Sequence, residues 1–205
     1  TVREFVEAVG ARTSAPGGGS VSALMASLGA ALGAMVGWLT YGRRKYEHLD
    51  AVMRENIPPL VELQEELLRA IDRDAAAFED YMTALGMPKD TPDAVEERQR
   101  AMQEGLKKAT LVPFHTMELA DRAWEPLLAI ARVGQYSSRP DVEVGARALA
   151  AGLHGAFSNV MINLPGVKDA AFRRDTEARA RALVERGDAK LAEVLAVLAA
   201  RTGDA

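Results

Sequence analysis

The sequence contains no cysteine. Disulfides and cysteine metal sites are therefore excluded, and a reducing, cytoplasmic compartment is expected. Histidine is scarce: His48, His115 and His154 lie far apart and form no ligand motif, so no metal is expected. An excess of positive charge is also missing. The formal net charge of −4 gives no reason to expect a nucleic-acid partner. Alternating runs of strand length are absent and β-branched residues are few, which removes the usual signals for sheet. The chain begins Thr1-Val2-Arg3-Glu4, so charge arrives at once and no secretory leader is expected. Between Arg12 and Arg43 there is no charged residue at all. That stretch is long enough to span a bilayer. It is built from Ala, Gly and Ser, however, whose transfer into lipid is poor. A buried helix is expected there, not a membrane span.

What remains is helix. With 48% apolar residues, the 205-residue chain can bury a sizeable core. Thr1 can cap a short first helix whose apolar face is Phe5, Val6 and Val9. The loop Ser14-Ala15-Pro16-Gly17-Gly18-Gly19 follows. A helix then starts near Ser20 and runs to about Tyr41. The third segment extends from about Leu49 to Leu85, with a kink or fresh start expected at Pro58 and Pro59. Gly86 and Pro88 stop it. Thr91 and Pro92 start a fourth, reaching about Val133 with bends near Pro113 and Pro126. Gly134 to Pro140 is a loop. A fifth helix runs from Asp141 to about Leu164, and a charged sixth from Asp169 to Arg201. The tail after Thr202 is expected to fray. The fold class is all-α, one domain over residues 1–205, built as a bundle of long, partly kinked helices.

Five features could carry chemistry, and each has a plain structural alternative. Gly17, Gly18 and Gly19, with Ser20, precede a helix. Glycines there permit positive φ and close approach of a ligand to backbone, and helix N–H groups attract anions. The alternative is a flexible connection. Gly29, Gly33 and Gly37 recur every four residues and make a groove for close helix contact, inside the subunit or, as we expect, across a symmetric dimer. Asp74 shares a stripe with Leu67, Ile71, Phe78 and Tyr81 that is otherwise apolar. A buried carboxylate must find a cation or take a raised pKa suited to proton transfer. The alternative is a stripe-edge group that reaches water. Arg43, Arg44 and Lys45 follow the uncharged helix. They suit a polyanionic ligand, or they merely complement the helix C-terminus. Tyr41 and Tyr46 flank them and could stack on a flat ring. Asn159 and Asn163 stand four apart on a nearly charge-free helix, where they bridge helices or hold the polar edge of a ligand.

In order along the chain, Ala15-Pro16-Gly17-Gly18-Gly19-Ser20, Gly29 to Arg44, Asp72-x-Asp74-Ala75-x-Ala77-Phe78 and Phe157-x-Asn159-Val160-x-Ile162-Asn163-Leu164 resemble the cyclodeaminase/cyclohydrolase family, typified by the cyclodeaminase domain of formimidoyltransferase-cyclodeaminase. Ile57-Pro58-Pro59 and Pro88-Lys89-x-Thr91-Pro92 fall between them, so the likeness spans essentially the whole chain. The resemblance implies an all-helical homodimer with a folate site at or near the interface. It implies closure of 5-formimino-tetrahydrofolate to 5,10-methenyl-tetrahydrofolate with loss of ammonia, a step in one-carbon metabolism and histidine degradation. It places the family's aspartate on Asp74, and it requires no cofactor beyond the tetrahydrofolate substrate. Asp141, Asn159 and Asn163 would hold the pterin, and Arg43, Arg44 and Lys45 the glutamate tail. The chain holds no formimidoyltransferase domain, so such a partner would be separate or fused outside it. A methenyl-tetrahydrofolate cyclohydrolase, or a non-catalytic folate-binding or dimerisation module, are the competing expectations.

Overall fold

The computed structural model describes residues 1–203. Six α-helices follow in order: α1 (Val2–Val9), α2 (Gly18–Thr40), α3 (Asp50–Gly86), α4 (Pro92–Val133), α5 (Arg139–Asn163) and α6 (Ala170–Ala200). Short 3-10 turns occupy Arg44–Leu49, Tyr136–Ser138 and Leu164–Gly166, and the described residues contain no strand. The all-α bundle expected from the sequence is what forms. Of the tail expected to fray, Asp204 and Ala205 lie outside the described residues.

The caps are those the residue types dictate. Thr1 and Glu4 close a reciprocal capping box on α1. Thr91 Oγ1 accepts from the Ala94 N–H with Pro92 next to it, and Asp169 accepts from the Phe172 N–H to begin α6. Of the kink or fresh start expected at Pro58 and Pro59, the fresh start does not occur: α3 is one continuous helix through both prolines. Both prolines sit on an exposed face, so the carbonyls they leave without N–H partners can be met by water. Asn56 Nδ2 also donates to the Val52 carbonyl at 2.8 Å in the preceding turn.

The uncharged α2 is the central element. Its length and composition would suffice to cross a membrane. Here α3 flanks it on one side and α5 on the other, with α4 behind. Both flanking helices run antiparallel to it. Gly18 lies by Asn159, Ser22 and Ala26 by Gly152, and Gly29 by Gly145 and Leu149. On the other side Gly19 meets Asp74, Gly33 meets Leu60, and Gly37 meets Ile57. Buried Trp124, Met117, Leu127, Met53, Leu149 and Leu153 fill the space between these helices and α6.

Those contacts correct the dimer reading of the glycine row. Gly29, Gly33 and Gly37 face inward, against Leu149, Leu127 and Leu60, and Ile57 and Ile130 of the same chain. Small residues let helices approach, and here the approaching helices are α3, α4 and α5 of the same chain. The closest approach is at Gly152, where an added Cβ would stand 2.6 Å from both the Ala26 nitrogen and the Ser22 carbonyl oxygen. Backbone cannot yield as a side-chain tip can. Gly152→Ala is therefore expected to cost about 1–3 kcal/mol of stability, read as a lower urea midpoint at unchanged slope.

Candidate active site

The start of α2, the middle of α3 and the end of α5 meet at one end of the bundle. Between them lies an open cavity of about 300 Å³, lined by Gly17, Gly18, Gly19, Asp74, Asn159 and Asn163. Phe78 and Tyr81 form its wall one and two turns beyond Asp74, and Leu106 and Ala109 of α4 close the back. A cleft between α4 and α6 is larger, about 480 Å³, but the ionic groups on it already pair with one another, Arg179 with Glu118 and Arg186 with Asp121.

Asp74 is half-buried where two chain segments touch. Ser20 Oγ donates to Asp74 Oδ2 at 2.9 Å, and Ser20 itself is fully buried. Gly19 supplies the room: a Cβ there would lie 2.1 Å from Asp74 Oδ1. The carboxyl thus occupies the space of a missing side chain. Burial pushes its pKa above the ordinary aspartate value, and hydrogen bonds from the Ser20 hydroxyl and backbone offset only part of that. No lysine or arginine lines the cavity to reverse the shift. The group is poised to carry a proton.

The glycine loop differs from expectation in its geometry. Gly17 is extended at φ −125°, and among the described residues positive φ is found at Gly42 alone. Gly19 is needed for space and not for left-handed backbone, whereas an added Cβ at Gly18 would stand 3.5 Å from Asn159 in ordinary contact. Ser20 also changes role, from ligand contact to support for Asp74.

Two asparagines reach the cavity as expected. Asn159 Nδ2 donates to the Gly155 carbonyl at 2.8 Å, and Asn163 Nδ2 to the Ala109 carbonyl at 2.9 Å. One N–H of each amide is thereby fixed, which leaves its Oδ1 as an acceptor for a ligand. Asp141 does not join them. It sits in the first turn of α5, about 27 Å from Asn159 at 1.5 Å rise per residue. Arg43, Arg44 and Lys45 are also elsewhere, past the far end of α2 and about 35 Å from Gly19. Arg43 there donates to Gln135 at 3.1 Å, Tyr46 is buried, and Tyr41 meets Trp38 edge-on. Antiparallel packing puts both groups at the opposite pole of the same subunit. Phe78 and Tyr81 were visible in the Asp74 stripe without a binding role. Leu106 and Ala109 carried no sequence signal.

The family model for formiminotransferase-cyclodeaminase matches residues 1–182. The chain belongs to the formiminotransferase-cyclodeaminase family. Within that family, the formimidoyltransferase-cyclodeaminase of Sus scrofa is 45% identical over 98% of this chain, and the chain spans 37% of that protein. A methenyltetrahydrofolate cyclohydrolase of Methylorubrum extorquens is 31% identical over 85% of this chain and 84% of its own length. A solved structure of formiminotetrahydrofolate cyclodeaminase from Thermotoga maritima shares the fold. It superposes at a TM-score of 0.86 over 97% of this chain and 96% of that one, at 24% identity.

Proposed function

We propose that this chain converts 5-formimino-tetrahydrofolate to 5,10-methenyl-tetrahydrofolate and ammonia, with Asp74 as the proton carrier. The observation that carries the reading is a half-buried carboxyl with a raised pKa, held by Ser20 and opening on a cavity with aromatic and amide walls. N10 of the folate attacks the formimino carbon on N5, and an N10–carbon bond forms. The adduct carries a surplus proton on N10 and an amino group on the same carbon. Asp74 delivers its proton to that amino nitrogen, the carbon–nitrogen bond breaks, and ammonia leaves. The resulting carboxylate takes the N10 proton, so Asp74 ends as it began and the charges balance. Such proton transfer contributes about 100- to 10,000-fold in rate.

The Oδ1 atoms of Asn159 and Asn163 suit the donor edge of a pterin. Phe78 and Tyr81 suit the flat rings behind it. The relatives' double name supports a formimidoyltransferase, fused or separate, as the partner that supplies the formimino substrate.

The Methylorubrum relative favours a second reading, hydrolysis of the methenyl ring with the same carboxyl activating water. The two separate on one spectrophotometer. Given the formimino compound, the chain is expected to raise methenyl absorbance well above the uncatalysed rate. Rapid loss of methenyl absorbance, with the formimino compound untouched, would give the site to the hydrolase.

A further inference from the structure

Prolines stand inside α3 at Pro58 and Pro59 and inside α4 at Pro113 and Pro126. Each lacks an N–H, and its ring crowds the carbonyl one turn earlier, which loses its helical partner. At Pro58, Pro59 and Pro126 that carbonyl belongs to Arg54, Glu55 or Arg122, all exposed residues within reach of water. Pro113 is different. It is buried, and the carbonyl it frees is that of half-buried Ala109, in the wall of the cavity beside Asp74. A carbonyl so placed needs a donor. The donor comes from another helix: Asn163 Nδ2 of α5 bonds to it at 2.9 Å.

We propose that Pro113 is the positioning residue for the Asn163 amide, and that through it the site selects a ligand edge that donates hydrogen bonds. A carbonyl oxygen only accepts, so the nitrogen of the Asn163 amide must be the atom that faces Ala109. Its Oδ1 is then left for the cavity that Asn163 lines. With an ordinary residue at position 113, the backbone N–H there would draw the Ala109 carbonyl into the helix ladder. The amide could then turn over and offer its donors instead. An asparagine has nearly the same shape either way round, so the asparagine alone does not set what the site reads; the proline does. Asn159 is anchored independently, by its Nδ2 on the Gly155 carbonyl one turn earlier in its own helix. Two amide acceptors thus serve one cavity. Resting on the folate reading, they match the N3–H and the 2-amino group of a pterin lactam. A 2,4-diamino ring carries no hydrogen on N3, so it would set a lone pair against one of those oxygens.

Equilibrium binding of tetrahydrofolate and of its 2,4-diamino analogue tests this. The wild type is expected to prefer the lactam about tenfold or more. Equal binding of the two rings overturns the selectivity. Pro113→Ala is expected to stay helical, since alanine returns an N–H to α4, and to cut the preference about three- to tenfold. KM for the formimino substrate should rise by a similar factor at unchanged kcat, because Asp74 is untouched. A bond that merely tied α4 to α5 would lower the urea midpoint and leave the preference as it was, which overturns the proposal. Asn163→Ala is expected to lose the preference too, and Pro113→Ala/Asn163→Ala to be no worse than Asn163→Ala alone. Losses that multiply would show that Pro113 acts on something else. The side-chain amide of Asn163, identified as the resonance missing in Asn163→Ala, gives a readout without ligand. One of its protons is expected to exchange slowly in the wild type and at the ordinary exposed rate in Pro113→Ala; equal exchange in both overturns the proposal. A chain that binds neither ring would sink the folate reading, and amide exchange alone would then decide whether Pro113 positions Asn163.

Discussion

Asp74→Asn is expected to slow methenyl formation about 100- to 10,000-fold while the fold stays intact. Asparagine keeps the shape of the side chain and an oxygen to accept from Ser20 Oγ, the 2.9 Å bond that positions the group. What it loses is the exchangeable proton. Stability should move the other way. Burial raises the folded-state pKa of Asp74 above its ordinary value. The folded state therefore holds this proton more tightly than the unfolded chain does. The stability this contributes is complete below the ordinary aspartate pKa and is lost as pH rises through the raised one. Asp74→Asn should thus be more stable than the wild type at neutral pH, with the difference vanishing in acid. Urea midpoints at the two pH values measure it. The wild-type rate should fall as pH climbs through the same raised value, because the donor empties. A variant that is inactive at every pH and also less stable at neutral pH would mean that the carboxylate serves the structure.

Gly19→Ala is expected to remove nearly as much activity without touching any ionisable group. The new methyl would lie 2.1 Å from Asp74 Oδ1 and 2.5 Å from its carboxyl carbon. The carboxyl must swing out of its recess, which breaks the bond from Ser20. Misplacing a catalytic group by about 1 Å can cost on the order of 100-fold. Alanine is the better helix former by about 1 kcal/mol, so unfolding is not the expected cause. Gly86→Ala, where no atom lies within 4 Å of an added Cβ, is the matching control with an unchanged rate. Circular dichroism beside a steady-state rate separates the effects. If Gly19→Ala retained full activity, the recess would have no part in holding Asp74.

Local patterns in the sequence carried the helices well. Thr91 and Pro92, Gly86, and the step of three and four through Leu67, Ile71, Asp74 and Phe78 all depend on neighbours within two turns, which a linear reading contains. Asp74 itself was legible because a carboxylate on an apolar stripe stands out by periodicity alone. Its partner was not. Ser20 lies 54 positions away, and nothing near it in sequence marks its hydroxyl as directed at a carboxyl. The same limit explains Arg43 to Lys45 and Asp141. Their clustering was plain, but which pole of the bundle they occupy follows from α3 and α5 running antiparallel to α2. The row Gly29, Gly33, Gly37 correctly announced close helix contact. It could not say whether the close helix was the chain's own, because the steric demand is the same in either case. Pro58 and Pro59 left a kink and a fresh start as equal readings, and only the fold shows that the helix does not restart there, the carbonyls one turn before the prolines being on an exposed face open to water.

The most direct test is the titration of one carboxyl. With aspartate side chains labelled with carbon-13, the carboxyl resonance that disappears in Asp74→Asn can be followed against pH. Its midpoint is expected to stand above the ordinary aspartate value, as burial beside Ser20 in a cavity lined by no lysine or arginine dictates. A midpoint at or below that value would leave Asp74 a carboxylate throughout, with no proton to give to departing ammonia.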